Sequence, residues 1–216
     1  MGDRPGRLLP GPGHARKPCG GSRPDRSGEG RALSRAVFLD RDGVLNRVVW
    51  RDGKAASPRA VAELEVEVEA PAALAALREA GFLLFVVTNQ PDVRRGLMSG
   101  ETLDDIHAAL AAALPPLDAI AACRHDNADA CACRKPKPGL LVELAAGHGV
   151  DLAASFMIGD QDRDIECGRA AGCVTMLLAK PYNSGVQAGA DHLVDNLSQA
   201  VRLILKTAPQ TATCTG

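Results

Sequence analysis

Aromatic side chains are scarce in this chain of 216 residues: four Phe, one Trp and one Tyr, 3% in all. A surface built to stack nucleobases uses more of them. An excess of one charge is also missing. Lys and Arg number 25 against 26 Asp and Glu, and the net charge is −1. Such a balance gives no field to gather nucleic acid or an anionic membrane surface. No apolar run approaches the roughly 20 residues needed to span a bilayer. The first 34 residues contain no apolar core of the secretory kind, so the cytoplasm is the expected compartment. The seven cysteines are odd in number and do not read as a disulfide framework there. Cys19, Cys167, Cys173 and Cys214 are scattered, and Cys167 and Cys173 read as small core residues.

What is present is a hydrophobic share of 46%, enough for one packed core. Residues 1–34 are rich in Gly, Pro, Arg and Ser without periodicity and read as a disordered extension, as do residues 207–216 at the other end. Residues 35–206 are the expected folded domain. Strand and helix alternate through it. Residues 36–40, 82–87, 118–122, 156–158 and 173–178 read as strands. Helices are expected over 71–80, stopped by Gly81, and from Ser99 or Gly100 to 114, stopped by Pro115 and Pro116. Others are expected over 138–146, stopped by Gly147, over 165–171, and from Asp195 or Asn196 to 206. That order predicts an α/β fold, Rossmann-like and three-layered, around a central parallel sheet.

A pair of carboxylates stands out. The apolar run Ala36-Val37-Phe38-Leu39 ends at Asp40, and Asp42 and Gly43 follow. Alone this is a strand running into an Asp-Gly turn. Three more polar groups follow other predicted strands or precede a helix: Thr88-Asn89-Gln90, Arg134-Lys135-Pro136, and Gly159-Asp160 with Asp162 and Asp164. Each reads singly as a turn, a cap or a solvated loop. Together they converge, because a parallel sheet delivers all its strand C-termini to one edge. The set suits phosphoryl transfer. Asp40 is placed to attack phosphorus, and Asp42 to give and take the proton. Asp160 completes a Mg²⁺ site with Asp40. Thr88, Asn89 and Lys135 stabilise charge on the transferring group.

The order Asp-x-Asp-Gly-Val, Thr-Asn-Gln, Lys135, Gly-Asp-x-x-x-Asp resembles the haloacid dehalogenase superfamily of phosphatases, subfamily IIIA, over about residues 35–205. The resemblance implies a Mg²⁺-dependent aspartyl-phosphate mechanism. Asp40 matches the nucleophile, Asp42 the general acid and base, Thr88 the second-motif hydroxyl and Lys135 the third-motif lysine. Asp160 matches the metal ligand, with Asp164 behind it, and the main-chain carbonyl of Asp42 joins the magnesium site. Asn46, Asn89, Arg95 and Arg134 are expected to contact substrate.

Residues 123–133 contain Cys123, His125, Cys131 and Cys133 in the spacing C-x-H-x₅-C-x-C. Three thiolates and an imidazole make a closed tetrahedral Zn²⁺ set, structural because no position is left for water. A strained Cys-Ala-Cys disulfide and a metal-free loop are the alternatives. Within the superfamily, zinc loops of this kind are similar to those of the heptose-bisphosphate phosphatases and the histidinol-phosphate phosphatases. Val44-Leu45-Asn46 and Thr88-Asn89-Gln90 with Arg95-Gly96 favour the heptose group. Pro91-Asp92, Arg94, Lys54 and Gln161 depart from its pattern, which bears on the substrate rather than the chemistry. The chain is too short for a cap domain, so specificity is expected to rest on loops 47–60, 90–99 and 124–135. A monomer acting on a small phosphorylated sugar is the expected form, with neither nucleic acid nor membrane as partner. A non-catalytic zinc scaffold and a polynucleotide-end phosphatase remain as alternatives.

Overall fold

The computed structural model describes residues 33–185 and 189–207. Compactness divides the chain between Ala32 and Leu33, and the described residues all lie in the second unit. The expected disorder of 1–34 and 207–216 therefore falls almost wholly outside them. So do Cys19 and Cys214.

Among the described residues fourteen regular elements, short 3-10 turns aside, follow in chain order. They are β1 (Ala36–Leu39), β2 (Val49–Arg51), β3 (Lys54–Ala56), α1 (Ala70–Glu79), β4 (Leu83–Asn89), α2 (Pro91–Arg94), α3 (Gly100–Ala113), β5 (Ala119–Cys123), α4 (Gly139–His148), β6 (Phe156–Gly159), α5 (Asp162–Ala171), β7 (Val174–Leu178), β8 (His192–Val194) and α6 (Leu197–Thr207). Six strands form one parallel sheet in the order β5-β4-β1-β6-β7-β8. β2 and β3 form a separate antiparallel hairpin.

β1 lies between β4 and β6 and is buried along its whole length. Its side chains alternate between two cores, as strand pleating requires. Val37 and Leu39 join Leu74 and Leu77 of α1 and Val201 and Ile204 of α6. Ala36 and Phe38 join Leu141 of α4 and Cys167 of α5. The result is three layers, helix over sheet over helix. Both faces of the sheet are covered, which is why its central strands read as unbroken apolar runs.

Most expected elements form where the sequence put them, with shifts at the ends. The helix expected to stop at Gly147 continues to His148, and Gly149 takes the left-handed conformation (φ 64°) that closes it. The two extra residues carry Val150 into the core and let Ser34 bond Gly149 and Asp151. α5 begins three residues earlier than expected, at Asp162, because Gln161 and Asp164 cap each other's backbone. Three elements escaped the sequence reading: the hairpin β2–β3, the edge strand β8 and the short α2. No cap domain is present among the described residues. The stretch between β1 and α1 holds only the hairpin and one 3-10 turn.

Candidate active site

Asp40, Asn89, Cys123 and Asp160 lie at or just beyond the C-terminal ends of β1, β4, β5 and β6. These strands are parallel neighbours, so one edge receives all four. Lys135 reaches that edge from the loop before α4. Its ammonium lies 2.9 Å from Asp40 Oδ1 and 2.6 Å from Asp164 Oδ1, and donates to the Val87 carbonyl at 2.8 Å. Its main chain is tied at both polar groups to the Asn89 side-chain amide, at 3.0 and 3.1 Å. Asn89 is thus a brace for Lys135.

Charge crowding dominates this edge. Oxygens of Asp40, Asp160 and Asp164 all lie within 4.8 Å of one another, and all three residues are buried. Burial, then the charge of Asp164, pushes the Asp40 carboxyl up to about 7. Burial and Asp164 raise Asp160 as well. Burial disfavours the Lys135 cation, but Asp164 and Asp40 overcome it and raise the lysine. One ammonium among three carboxylates leaves an oxygen-lined site with surplus negative charge, the donor set a hard divalent cation takes. Gly43 is required beside it. It adopts φ 83°, and a side chain there would collide with Asp160 and the Tyr182 hydroxyl.

Asp42 has a different environment. Its carboxylate accepts from Arg41 Nε and Nη2, both at 3.1 Å, from Asn46 Nδ2 at 3.0 Å, and from Ser57 Oγ and Gln90 Nε2 at 2.8 Å. Burial works to raise it, but Arg41 and then these neutral donors hold it below the usual range. Gln90 also donates to Thr88 Oγ1 at 2.8 Å, which fixes that hydroxyl beside the pair. Asn46, expected at the substrate, instead supports Asp42.

Several contributors here were not foreseen. Arg41 is completely buried between the two aspartates. Tyr182 donates to Asp160 Oδ2 at 2.7 Å, and Asn183 donates to the Asp160 carbonyl at 2.7 Å. They lie beyond β7, whose end faces the same edge, and that topology was the available signal.

Cys123, His125, Cys131 and Cys133 also converge. Their sulfur–sulfur separations are 3.3–3.6 Å, and His125 Nδ1 lies 3.3 Å from Cys133 Sγ and 3.7 Å from Cys123 Sγ. A tetrahedron with Zn–S bonds of about 2.3 Å has edges of about 3.7 Å. All of these cysteines are free, so the disulfide alternative is not adopted. The next residue, Arg134, bonds back to Asn127 at 2.7 Å and to the His125 carbonyl at 3.2 Å. The loop and the base of Lys135 are thereby one unit.

The catalytic cavity, about 80 Å³, is lined by Asp40, Asp42, Thr88, Asn89, Asp160 and Arg163. Beside it lies a wider cleft of about 530 Å³, lined by Arg51, Lys54, Arg59, Arg95, Arg134 and Arg163. Arg95, expected at the substrate, faces this cleft, but its fork is occupied by Asp126 through two 2.8 Å bonds.

The family profile described as HAD-hydrolase-like matches residues 132–200. A D-glycero-beta-D-manno-heptose-1,7-bisphosphate 7-phosphatase of Bordetella bronchiseptica is 38% identical over 146 residues, covering 66% of this chain and 79% of that protein. A D-glycero-D-manno-heptose-1,7-bisphosphate 7-phosphatase of Chlorobaculum tepidum is 33% identical over 196 residues, covering 78% and 92%. The crystal structure of the D,D-heptose 1,7-bisphosphate phosphatase from B. bronchiseptica, complexed with magnesium and phosphate, superposes with a TM-score of 0.69 at 31% identity, covering 80% of this chain and 98% of that one. With this fold, this edge and relatives at these identities, the chain belongs to the haloacid dehalogenase-like hydrolases, on the branch of the heptose-bisphosphate phosphatases.

Proposed function

We propose that this protein is a Mg²⁺-dependent phosphatase that removes the 7-phosphate of D-glycero-D-manno-heptose 1,7-bisphosphate through an aspartyl-phosphate on Asp40. The observation that carries the reading is the buried group of Asp40, Asp160 and Asp164 around Lys135. Asp40, Asp160 and the Asp42 main-chain carbonyl would hold Mg²⁺, which when bound neutralises charge between nucleophile and phosphate. Cys123, His125, Cys131 and Cys133 would hold a structural Zn²⁺ that fixes the approach of Lys135. Residues 35–206 form the catalytic domain in this reading, and the protein acts as a cytoplasmic monomer.

Asp40 attacks phosphorus, the bond to the sugar oxygen breaks, and Asp42 gives that oxygen its proton. Asp42 then takes a proton from water, which attacks the aspartyl-phosphate and releases inorganic phosphate. The donors around Asp42 favour the carboxylate needed in the second step. The negative phosphoryl group arriving beside it favours the protonated form needed in the first. Lys135 and the Thr88 hydroxyl stabilise charge on the transferring group. The basic cleft next to the catalytic cavity suits a substrate with a second phosphate, with Arg134 and Arg163 at its wall.

Phosphate release in Mg²⁺ from heptose bisphosphate, histidinol phosphate and a 3′-phosphorylated oligonucleotide tests the proposal. Turnover of the first by far the fastest is expected. Preference for either of the others, or release from none by metal-replete protein, overturns it.

A further inference from the structure

The chain has one Trp and one Tyr, and the fold brings them together at the active-site rim. Trp50 lies on β2 of the hairpin, and Tyr182 lies in the loop after β7. Their ring centroids are 6.0 Å apart with planes at 81°. With this edge contact Trp50 remains 59% exposed. A tryptophan used only to pack the hairpin would be covered, since a large apolar ring gains most from burial.

The indole faces a built space. A cavity of about 340 Å³ is lined by Trp50, Lys54, Gln161, Arg163 and Tyr182. It shares Ala55, Gln161 and Arg163 with the catalytic cavity, so the two adjoin. Neighbouring cations of the basic cleft are engaged: Arg51 with Glu63, Arg59 with Asp92, Arg95 with Asp126. Lys54 and Arg163 form no ion pair among the described residues, and both line this space. The Tyr182 hydroxyl is held by Asp160 at 2.7 Å, and Asn183 pins the same loop to the Asp160 carbonyl. The platform is therefore anchored to the metal-site carboxylate.

We propose that Trp50, steadied by Tyr182, is a specificity residue that receives the apolar face of a pyranose ring, with an anionic substituent of that ring drawn to Lys54 and Arg163. A cyclic sugar phosphate has one flat C–H face to lay on an indole; an acyclic phosphate ester has none. The inference rests on the proposed sugar-phosphate reading and adds the residue that selects the ring.

Two experiments test it. In steady-state kinetics with Mg²⁺, Trp50→Ala is compared with wild type on heptose 1,7-bisphosphate and on glycerol 3-phosphate. Loss of an aromatic contact of about 1–1.5 kcal/mol predicts that KM for the heptose ester rises roughly tenfold, while KM for the glycerol ester changes less than about twofold. Trp50→Phe should recover most of the difference. Equal changes on both substrates, or none on either, overturn the inference. The second experiment does not depend on turnover. In the Asp40→Asn protein, the fluorescence of the single Trp is followed during titration with glucose 6-phosphate and with glycerol 3-phosphate. A saturable change with the pyranose alone supports the platform even if the heptose ester proves not to be the substrate. Identical responses to both, or none, overturn it even if that ester is hydrolysed.

Discussion

The Lys135 ammonium stands 2.9 Å from the Asp40 carboxylate in full burial. Among the described residues it is the one side-chain cation that ion-pairs with the crowded acidic group, and it is shared with Asp164 at 2.6 Å. Removing it strands buried carboxylates, a loss on the order of 3–5 kcal/mol. Lys135→Met is expected to melt well below wild type in chelator, to regain part of the difference in Mg²⁺, and to lose turnover in both. A melting temperature unchanged in chelator would refute this account of the charge balance.

Asp40→Asn should separate stability from activity. The folded carboxyl titrates at about 7, above its ordinary 3.8, mainly through burial and Asp164. A carboxyl raised in the fold contributes stability that is present below 3.8 and lost as pH rises toward 7. Its ionised form is therefore a cost in metal-free protein at pH 8. The amide removes that cost and is no nucleophile. The expected result is an inactive protein that melts above wild type in chelator at pH 8, with the difference shrinking by pH 5. Melts at the two pH values, alongside phosphate release, check it.

Arg95 is expected to matter less for the substrate than its sequence context suggests. Its fork is on Asp126, with Asp92 a further 3.7 Å contact. Arg163 lines both the catalytic cavity and the basic cleft without an ion pair among the described residues. Arg163→Ala should therefore raise KM for the bisphosphate several-fold more than Arg95→Ala. The reverse order in side-by-side kinetics would restore Arg95 as the phosphate contact.

Much of this site was legible in the chain because it hangs on buried parallel strands. Ala36–Leu39 and Leu83–Asn89 are covered on both faces, so their apolar runs and the polar residues that end them could be read directly. Asp160 follows from β6 in the same way. Arg41 could not be found so: a basic residue between two aspartates reads as solvated, and only the fold shows its fork locked on Asp42. Tyr182 and Asn183 lie in a loop with no periodicity, tied to Asp160 only by the β6–β7 neighbourhood. The hairpin did carry a signal, Asp52-Gly53 as a two-residue turn, but strands of three residues give too short an alternation to read.

Zinc and catalysis should fail together. Cys133 is two residues from Lys135, and Lys137 donates to the Ala130 and Cys131 carbonyls at 3.1 and 2.8 Å. Loss of a loop ligand therefore loosens the segment that presents the lysine. Cys131→Ser is expected to purify with reduced zinc, to melt lower and to lose kcat in saturating Mg²⁺. Full zinc by elemental analysis, or zinc loss with unchanged kcat, would uncouple the loop from the active site.

His107 on α3 gives the fold a pH dependence outside the metal sites. Its Nε2 is buried without a hydrogen-bond partner among the described residues. Burial, followed by the Arg41 charge, lowers the imidazole from 6.5 to about 4. In the unfolded chain the ring takes a proton near 6.5; in the fold it resists until about 4. Between these values the unfolded state binds more protons, so stability is present above 6.5 and drains away as pH falls toward 4. Replacing His107 with Gln removes the titrating group while keeping a polar side chain of similar reach. Denaturant melts of wild type and His107→Gln at pH 7.5 and pH 5 should show the wild type losing more stability on acidification. Parallel losses would assign the acid sensitivity to other groups.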